Sequence, residues 1–253
     1  MSISAQDVAE LRRRTNVGMM ACKKALEEAH GDMEAAIELL RKRGESKAAE
    51  KSDRSTGEGC IAISGRAMVK ILCETDFVAK NEDFVSFLQE VTGIAAKDGI
   101  DAAKAYFESV KTDKIQAIGE NLVLGDVVVV EGGNTVAGYV HSNGKVAALV
   151  SLDGGSEDQA KDVAMHATAM NPSVANPEQV PAESIEKEKA IYRDQLKNEG
   201  KPEAIWDKII VGKVNKFCAE QALTSQPFVK DPSQTVQAYL GDAKVVNFVR
   251  MAV

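Results

Sequence analysis

A β-hairpin followed by a helix is written twice into this 253-residue chain, and that repetition restricts the fold more than any other feature. In the first copy, the β-rich runs Gly59 to Ser64 and Ala67 to Cys73 flank Gly65-Arg66, a two-residue turn with Gly first. Asn81 then supplies an N-cap, Glu82 and Asp83 put negative charge into a first turn, and Phe84, Phe87, Leu88, Val91 and Ile94 recur at helical spacing over residues 81–96. In the second copy, Thr135 to His141 and Val146 to Ser151 are joined through Ser142-Asn143-Gly144-Lys145, where Asn-Gly is a strong hairpin signal. A helix from about Ser156 follows, with Ala160, Val163, Ala164 and Ala167 on one face. The pattern predicts an α+β fold with a duplicated core of antiparallel strands and helices. A helical stretch from Asp101 to Gly119 and a β-rich run from Val127 to Val130 separate the copies, while Ser233 to Leu240 reads as helix and Val245 to Val253 as a last strand.

Before the core, residues 1–46 read as a three-helix module. Ser4 and Asp7 form a capping-box start, Val8 and Leu11 begin an apolar face, and Met19, Cys22, Leu26 and Ala29 followed by Met33, Ile37 and Leu40 supply two more stripes. Gly31 suits the end of one helix and Asp32 the start of the next. Residues 47–58 are polar and read as a linker. The first half of the core then spans 59–134, and the second half 135–182 with 222–253. Residues 183–221 form an inserted, protruding helical hairpin, in which Gly200-Lys201-Pro202 closes one helix and opens the next. Its seams are Ile185, Lys189, Tyr192 and Leu196 on one side, and Ile205, Ile209, Val214 and Phe217 on the other. Trp206, near the tip, serves either self-association or packing within the hairpin.

Charge and chemistry exclude several functions. The net charge is −7, and residues 1–56 hold 11 basic and 10 acidic side chains, so the acid excess lies in the later modules. Phosphate binding is carried mostly by Lys and Arg, which argues against a nucleic-acid binder. There is no export signal near Met1 and no apolar run long enough to span a bilayer, so no membrane association and a cytoplasmic location are expected. Cys22, Cys60, Cys73 and Cys218 lack metal or redox spacing and read as reduced thiols, with Cys60 facing Ile71 across the first hairpin. No phosphate loop, nucleophile elbow or ligand-like spacing of His30, His141 and His166 occurs. Neither enzymatic activity nor a cofactor or metal is expected.

One segment stands apart. Thr75-Asp76-Phe77-Val78-Ala79-Lys80 falls on the bend between the first hairpin and its helix, whose apolar stripe is complete without Phe77. Phe77 either points outward as an anchor for a partner or folds back as a staple on the helix start. Asp76 alone reads as a cap or turn acid. Lys23 and Lys24 lie at the edge of their helix's stripe and, taken alone, read as a solvated face.

Taken together, these segments carry a resemblance. Leu11 to Leu26 (L-R-R-R-T-N-V-G-M-M-A-C-K-K-A-L) with Gly31-Asp32 after it, and Cys73-Glu74 running into Thr75 to Lys80, resemble the two signature segments of the elongation factor Ts family. Ile118-Gly119-Glu120-Asn121, Tyr139 with His141, Gly200-Lys201-Pro202 and Gln226-Pro227-Phe228-Val229 follow in the family's order. The resemblance implies a guanine-nucleotide exchange factor of translation elongation, in protein biosynthesis, that binds the GTPase elongation factor Tu. It implies that Asp76 and Phe77 intrude beside the partner's nucleotide site within the segment Thr75, Asp76, Phe77, Val78, Ala79 and Lys80. It also implies that Met20, Lys23, Ile118, Gly119 and Glu120 contact the GTPase domain, and that His141 lies on a second contact surface. The inserted hairpin matches the family's coiled-coil projection, which can take part in a homodimer or in a heterotetramer with the GTPase. Family members often continue into a helical tail that touches the partner, so its contacts are expected to be missing from a chain ending at Val253. The N-terminal module is also UBA-like, resembling ubiquitin-associated domains, and an adaptor that binds partners without changing nucleotide kinetics is the alternative.

Overall fold

The computed structural model describes residues 3–15 and 17–253, with residues 45–49 described by their backbone alone; Asn16, part of the first signature segment, lies outside the described residues. Two compact units divide the chain, one over residues 1–129 and the other over 130–252.

The first unit opens with α1 (Ala5–Thr15), α2 (Met19–Glu28) and α3 (Met33–Lys51). Ser4 and Asp7 cap α1 reciprocally: the Asp7 amide donates to the Ser4 hydroxyl at 3.1 Å and the Ser4 amide to the Asp7 carboxylate at 3.2 Å. Val8, Leu11, Val17, Cys22, Ala25, Leu26, Ala36 and Leu40 form one small core. Met19, expected in the α2 stripe, is instead exposed, and Ala25 takes the inward place. The turn into α3 is made by Gly31 at φ 90°, whose amide donates to the Leu26 carbonyl, and Asp32 caps α3 by accepting from the Ala35 amide at 3.0 Å. The linker expected from Lys47 begins later, because α3 stays helical to Lys51. Ala48-Ala49-Glu50-Lys51 consists of strong helix formers with no Gly or Pro to stop them, so polarity there marks a solvated helix.

Strands β1 (Glu58–Ser64) and β2 (Ala67–Cys73) pair in the predicted register, with Cys60 opposite Ile71. Gly65 at φ 52° makes the turn between them. A short helix α4 (Asp76–Ala79) follows, then α5 (Glu82–Asp98), α6 (Ile100–Ile118) and β3 (Val123–Val129), which returns antiparallel to β2. Phe84, Phe87, Leu88 and Val91 of α5 pack with Phe107 and Ile115 of α6 on Val69, Ile71 and Cys73 of the sheet. The Phe87 and Phe107 rings stack with centroids 5.6 Å apart.

The second unit repeats this plan. Strands β4 (Thr135–Val140) and β5 (Val146–Asp153) form a hairpin, α7 (Glu157–Met170) follows, and β8 (Lys244–Ala252) pairs with β5 as β3 pairs with β2. Ser156 and Gln159 form a capping box at the start of α7. Between α7 and β8 come α8 (Ala182–Asn198) and α9 (Trp206–Gln221), then β6 (Pro227–Phe228), β7 (Asp231–Thr235) and α10 (Val236–Leu240). The α8–α9 seam buries Leu196, Ile210, Val214 and Cys218 with Tyr192, Trp206 and Phe217 packed around them. Trp206 therefore packs within the hairpin, and its indole N–H donates to the Lys201 carbonyl at 2.9 Å. Ile205, predicted in the seam, stands exposed in a 3-10 turn, and Ile210 fills the place. The helix expected from Ser233 begins only at Val236, where Thr235 caps it; Ser233 and Gln234 bond instead to the Asp231 carboxylate.

Candidate partner-binding surface

At Cys73 the chain leaves the first sheet, and within three residues it makes a single helical turn. Thr75 caps α4 by accepting the Val78 amide on its hydroxyl at 3.4 Å. Asn81 then caps α5, accepting the Asp83 amide at 2.8 Å and the Phe84 amide at 3.4 Å. Two caps six residues apart leave room for only one turn between them. Ala79 is buried and Val78 half-buried against the sheet and α5, which puts Phe77 on the opposite side. Phe77 is 83% exposed. Burial of such a ring is worth about 1.5–3 kcal/mol, so the chain forgoes that much at Phe77. The staple reading does not hold in this structure. Asp76 pairs with Lys80 at 2.8 Å across the same turn, and this hydrogen bond raises the Lys80 pKa.

The turn is held from behind. The Glu120 carboxylate accepts from the Glu74 amide at 2.9 Å, the Thr75 amide at 3.0 Å and the Thr75 hydroxyl at 2.6 Å. The Glu74 carboxylate returns the tie, accepting from the Asn121 amide at 2.7 Å and from Arg54 at 3.5 Å. Asn121 is buried and donates its side-chain amide to the carbonyls of Ser52 and Arg54, while Lys51 reaches the Gly119 carbonyl. Gly119, at φ 93°, ends α6 and turns the chain so that Glu120 faces α4. Below this clamp the Cys73 thiol donates to the Thr75 carbonyl at 3.3 Å. Burial, reinforced by the Glu120 charge, pushes the thiol up to about 12, so it stays protonated.

Thus Thr75 to Lys80 and Ile118 to Glu120, distant in sequence, meet at one place. Met20 and Lys23 lie on α2, where Met20 is 77% exposed and Lys23 stands 3.9 Å from Glu27. His141 belongs to the second unit, at the end of β4, with Nδ1 3.2 Å from the Asn143 side-chain oxygen. The hairpin closes tightly there: the His141 amide donates to the Val146 carbonyl and the Gly144 amide to the His141 carbonyl, each at 2.8 Å. Sequence reasoning did not single out Glu74 and Asn121. They lie inside the recognised segments, but a reciprocal bond across 47 residues leaves no local signal.

Phe77 is thus an exposed aromatic on a braced turn, and comparison with known proteins says what kind of chain carries it. The family model described as Elongation factor TS matches residues 74–253, from Glu74 of the clamp to the last residue. The chain belongs to the elongation factor Ts family. Its similarity reaches the N-terminal helices as well. An elongation factor Ts of Saccharophagus degradans is 45% identical over 100% of this chain and 92% of its own length, and that of Teredinibacter turnerae is 46% identical over 100% and 91%. That of Nitratiruptor is 43% identical over 99% and 92%. Among the described residues no group of three or more His, Cys, Asp or Glu is arranged to hold a metal ion. No helix among them is long and apolar enough to cross a membrane.

Proposed function

We propose that this chain is a guanine-nucleotide exchange factor for elongation factor Tu, and that it acts by inserting Phe77 beside the partner's nucleotide site. A GTPase holds GDP through P-loop amides, a lysine and a Mg²⁺ that bridges phosphate and protein oxygens, an arrangement that small displacements weaken steeply. A factor that binds the nucleotide-free form best weakens nucleotide binding by the same ratio that nucleotide weakens its own binding. For a nucleotide held at nanomolar affinity, about 12 kcal/mol opposes release. Phe77 supplies part of this as a wedge, and Asp76 perturbs groups near the Mg²⁺ site. Met20, Lys23, Ile118, Gly119 and His141 contribute docking energy. No residue acts as a catalyst in the bond-making sense, and the nucleotide-free complex recaptures GTP.

The observation that carries this reading is Phe77, 83% exposed on a braced turn in a chain of this family. The test is stopped-flow release of a fluorescent GDP from elongation factor Tu. Wild type is expected to accelerate release strongly. Phe77→Ala should lose about 30-fold of that, the weight of one interface hot spot. Because the ring is exposed, its removal should change unfolding stability by no more than about 0.5 kcal/mol. Equal acceleration by both would move the energy to the wider interface. No acceleration by wild type would sink the exchange reading and leave an adaptor built on the N-terminal helices.

A further inference from the structure

A helix of one turn does not hold its own orientation in water, because nucleating the first hydrogen-bonded turn is unfavourable and α4 has no further turns to repay it. Something outside α4 must therefore fix the direction of Phe77. Ala79 and Val78 anchor its C-terminal side in the core. On its N-terminal side the fixed points are the donors of Glu74 and Thr75, and all three of those named above end on one carboxylate.

Resting on the exchange reading of Phe77, we propose that Glu120 is a positioning residue, which sets the angle at which Phe77 meets the GTPase and does not itself engage the partner. Both carboxylate oxygens are committed: Oε2 to the amides of Glu74 and Thr75, and Oε1 to the Thr75 hydroxyl at 2.6 Å. A carboxylate has about four acceptor sites, so three internal bonds leave little for an external donor. The reciprocal bond from the Asn121 amide to Glu74 closes a ring between the two segments, and Gly119 supplies the left-handed turn that aims Glu120 into it. Charge-assisted hydrogen bonds of this kind are the strong ones, and they hold the turn before any partner arrives. That preorganisation removes an ordering cost from the binding step. The contact that the resemblance implies for Glu120 becomes an indirect one, exerted through Phe77.

Two measurements test this on the full chain. The first needs no partner: residue-resolved amide hydrogen exchange of wild type and Glu120→Gln. The glutamine keeps the volume but removes the charge, so even with its carbonyl oxygen turned to the two amides the bonds are no longer charge-assisted. The Glu74 and Thr75 amides should exchange about tenfold faster or more, the equivalent of one charge-assisted bond, while the β2 amides stay as they were. Unchanged exchange at Glu74 and Thr75 would overturn the clamp. The second is GDP release by wild type, Glu120→Gln, Phe77→Ala and the double variant. Glu120→Gln should reduce acceleration about tenfold when Phe77 is present, and by less than about threefold in the Phe77→Ala background, because the effect passes through the ring. Full multiplication of the two losses would show that Glu120 contacts the partner directly and would overturn the proposal. Should Glu120→Gln lose its fold, Glu120→Asp keeps the charge but shortens the reach by one methylene, so that it can no longer hold all three donors, and the same two outcomes decide. If wild type releases no GDP, the exchange reading falls, while the amide measurement still decides whether Glu120 fixes the turn.

Discussion

His166 lies fully buried on α7, with Nε2 2.9 Å from the Gln226 side-chain oxygen and Nδ1 accepting the Val229 amide at 3.1 Å. The two bonds fix the neutral tautomer with its proton on Nε2. A second proton, on Nδ1, would face the Val229 N–H donor to donor. Burial lowers the His166 pKa below its ordinary 6.5, and the bond to Gln226 offsets part of that. The folded chain therefore binds this proton less readily than the unfolded chain. Its contribution to stability is complete above the ordinary pKa and is lost as pH falls below it toward the folded value. The slope there approaches at most about 1.4 kcal/mol per pH unit. Urea midpoints from about pH 8 to pH 5 should fall for wild type by more than for His166→Gln, in which the titrating group is gone; equal pH dependence in the two would refute it. At this scale the sequence identified Phe77 as an aromatic its helix did not need, and left both its directions open. What decides between them, the burial of Ala79 and Val78 and the ties to Glu120, involves pairs of residues up to 46 positions apart. Nothing in a local pattern carries that.

At the level of elements, the hairpins and their following helices were legible because alternation, turn residues and caps agree with one another over short stretches. Asn81 shows why. It was readable as an N-cap from its place before two acids and an apolar stripe, and its side chain does accept two amides of α5. Asn81→Ala should cost about 1 kcal/mol of unfolding free energy and Asn81→Gly only a few tenths, measured by urea denaturation. Equal losses from the two would mean that the cap bonds are not what the position contributes. Where the element reading failed, a single cue was allowed to stand for several. Polarity from Lys47 onward suggested a linker, although Ala48 and Ala49 favoured continuing α3 to Lys51. Ser233 and Gln234 read as helix, but the Asp231 carboxylate accepts from the Ser233 amide and hydroxyl and from the Gln234 side chain, and both residues lie in β7 instead.

Over the whole molecule, each unit carries its own apolar core, built on the same order of hairpin, helix and returning strand. The duplication was legible because each copy states its pattern independently, whereas the pairing of β8 with β5 spans the α8–α9 insertion and had no sequence cue beyond a terminal β-rich run. If the proposed contacts hold, docking and wedging on the GTPase can be told apart by measurement. A docking contact is made whether or not nucleotide is bound, so its loss weakens both complexes equally. A wedge gains its energy only when the nucleotide site has opened, since a ligand shifts an equilibrium only by its differential affinity for the two states. Phe77→Ala should therefore weaken binding to nucleotide-free elongation factor Tu by about 2 kcal/mol or more, and binding to the GDP complex by much less. Met20→Ala, at an exposed position on α2, should weaken both by the same factor. Calorimetric titration of both partner forms gives the four affinities relative to wild type. If Phe77→Ala also weakened both forms equally, Phe77 would be a docking anchor, and the free energy that opens the nucleotide site would have to come from the rest of the interface.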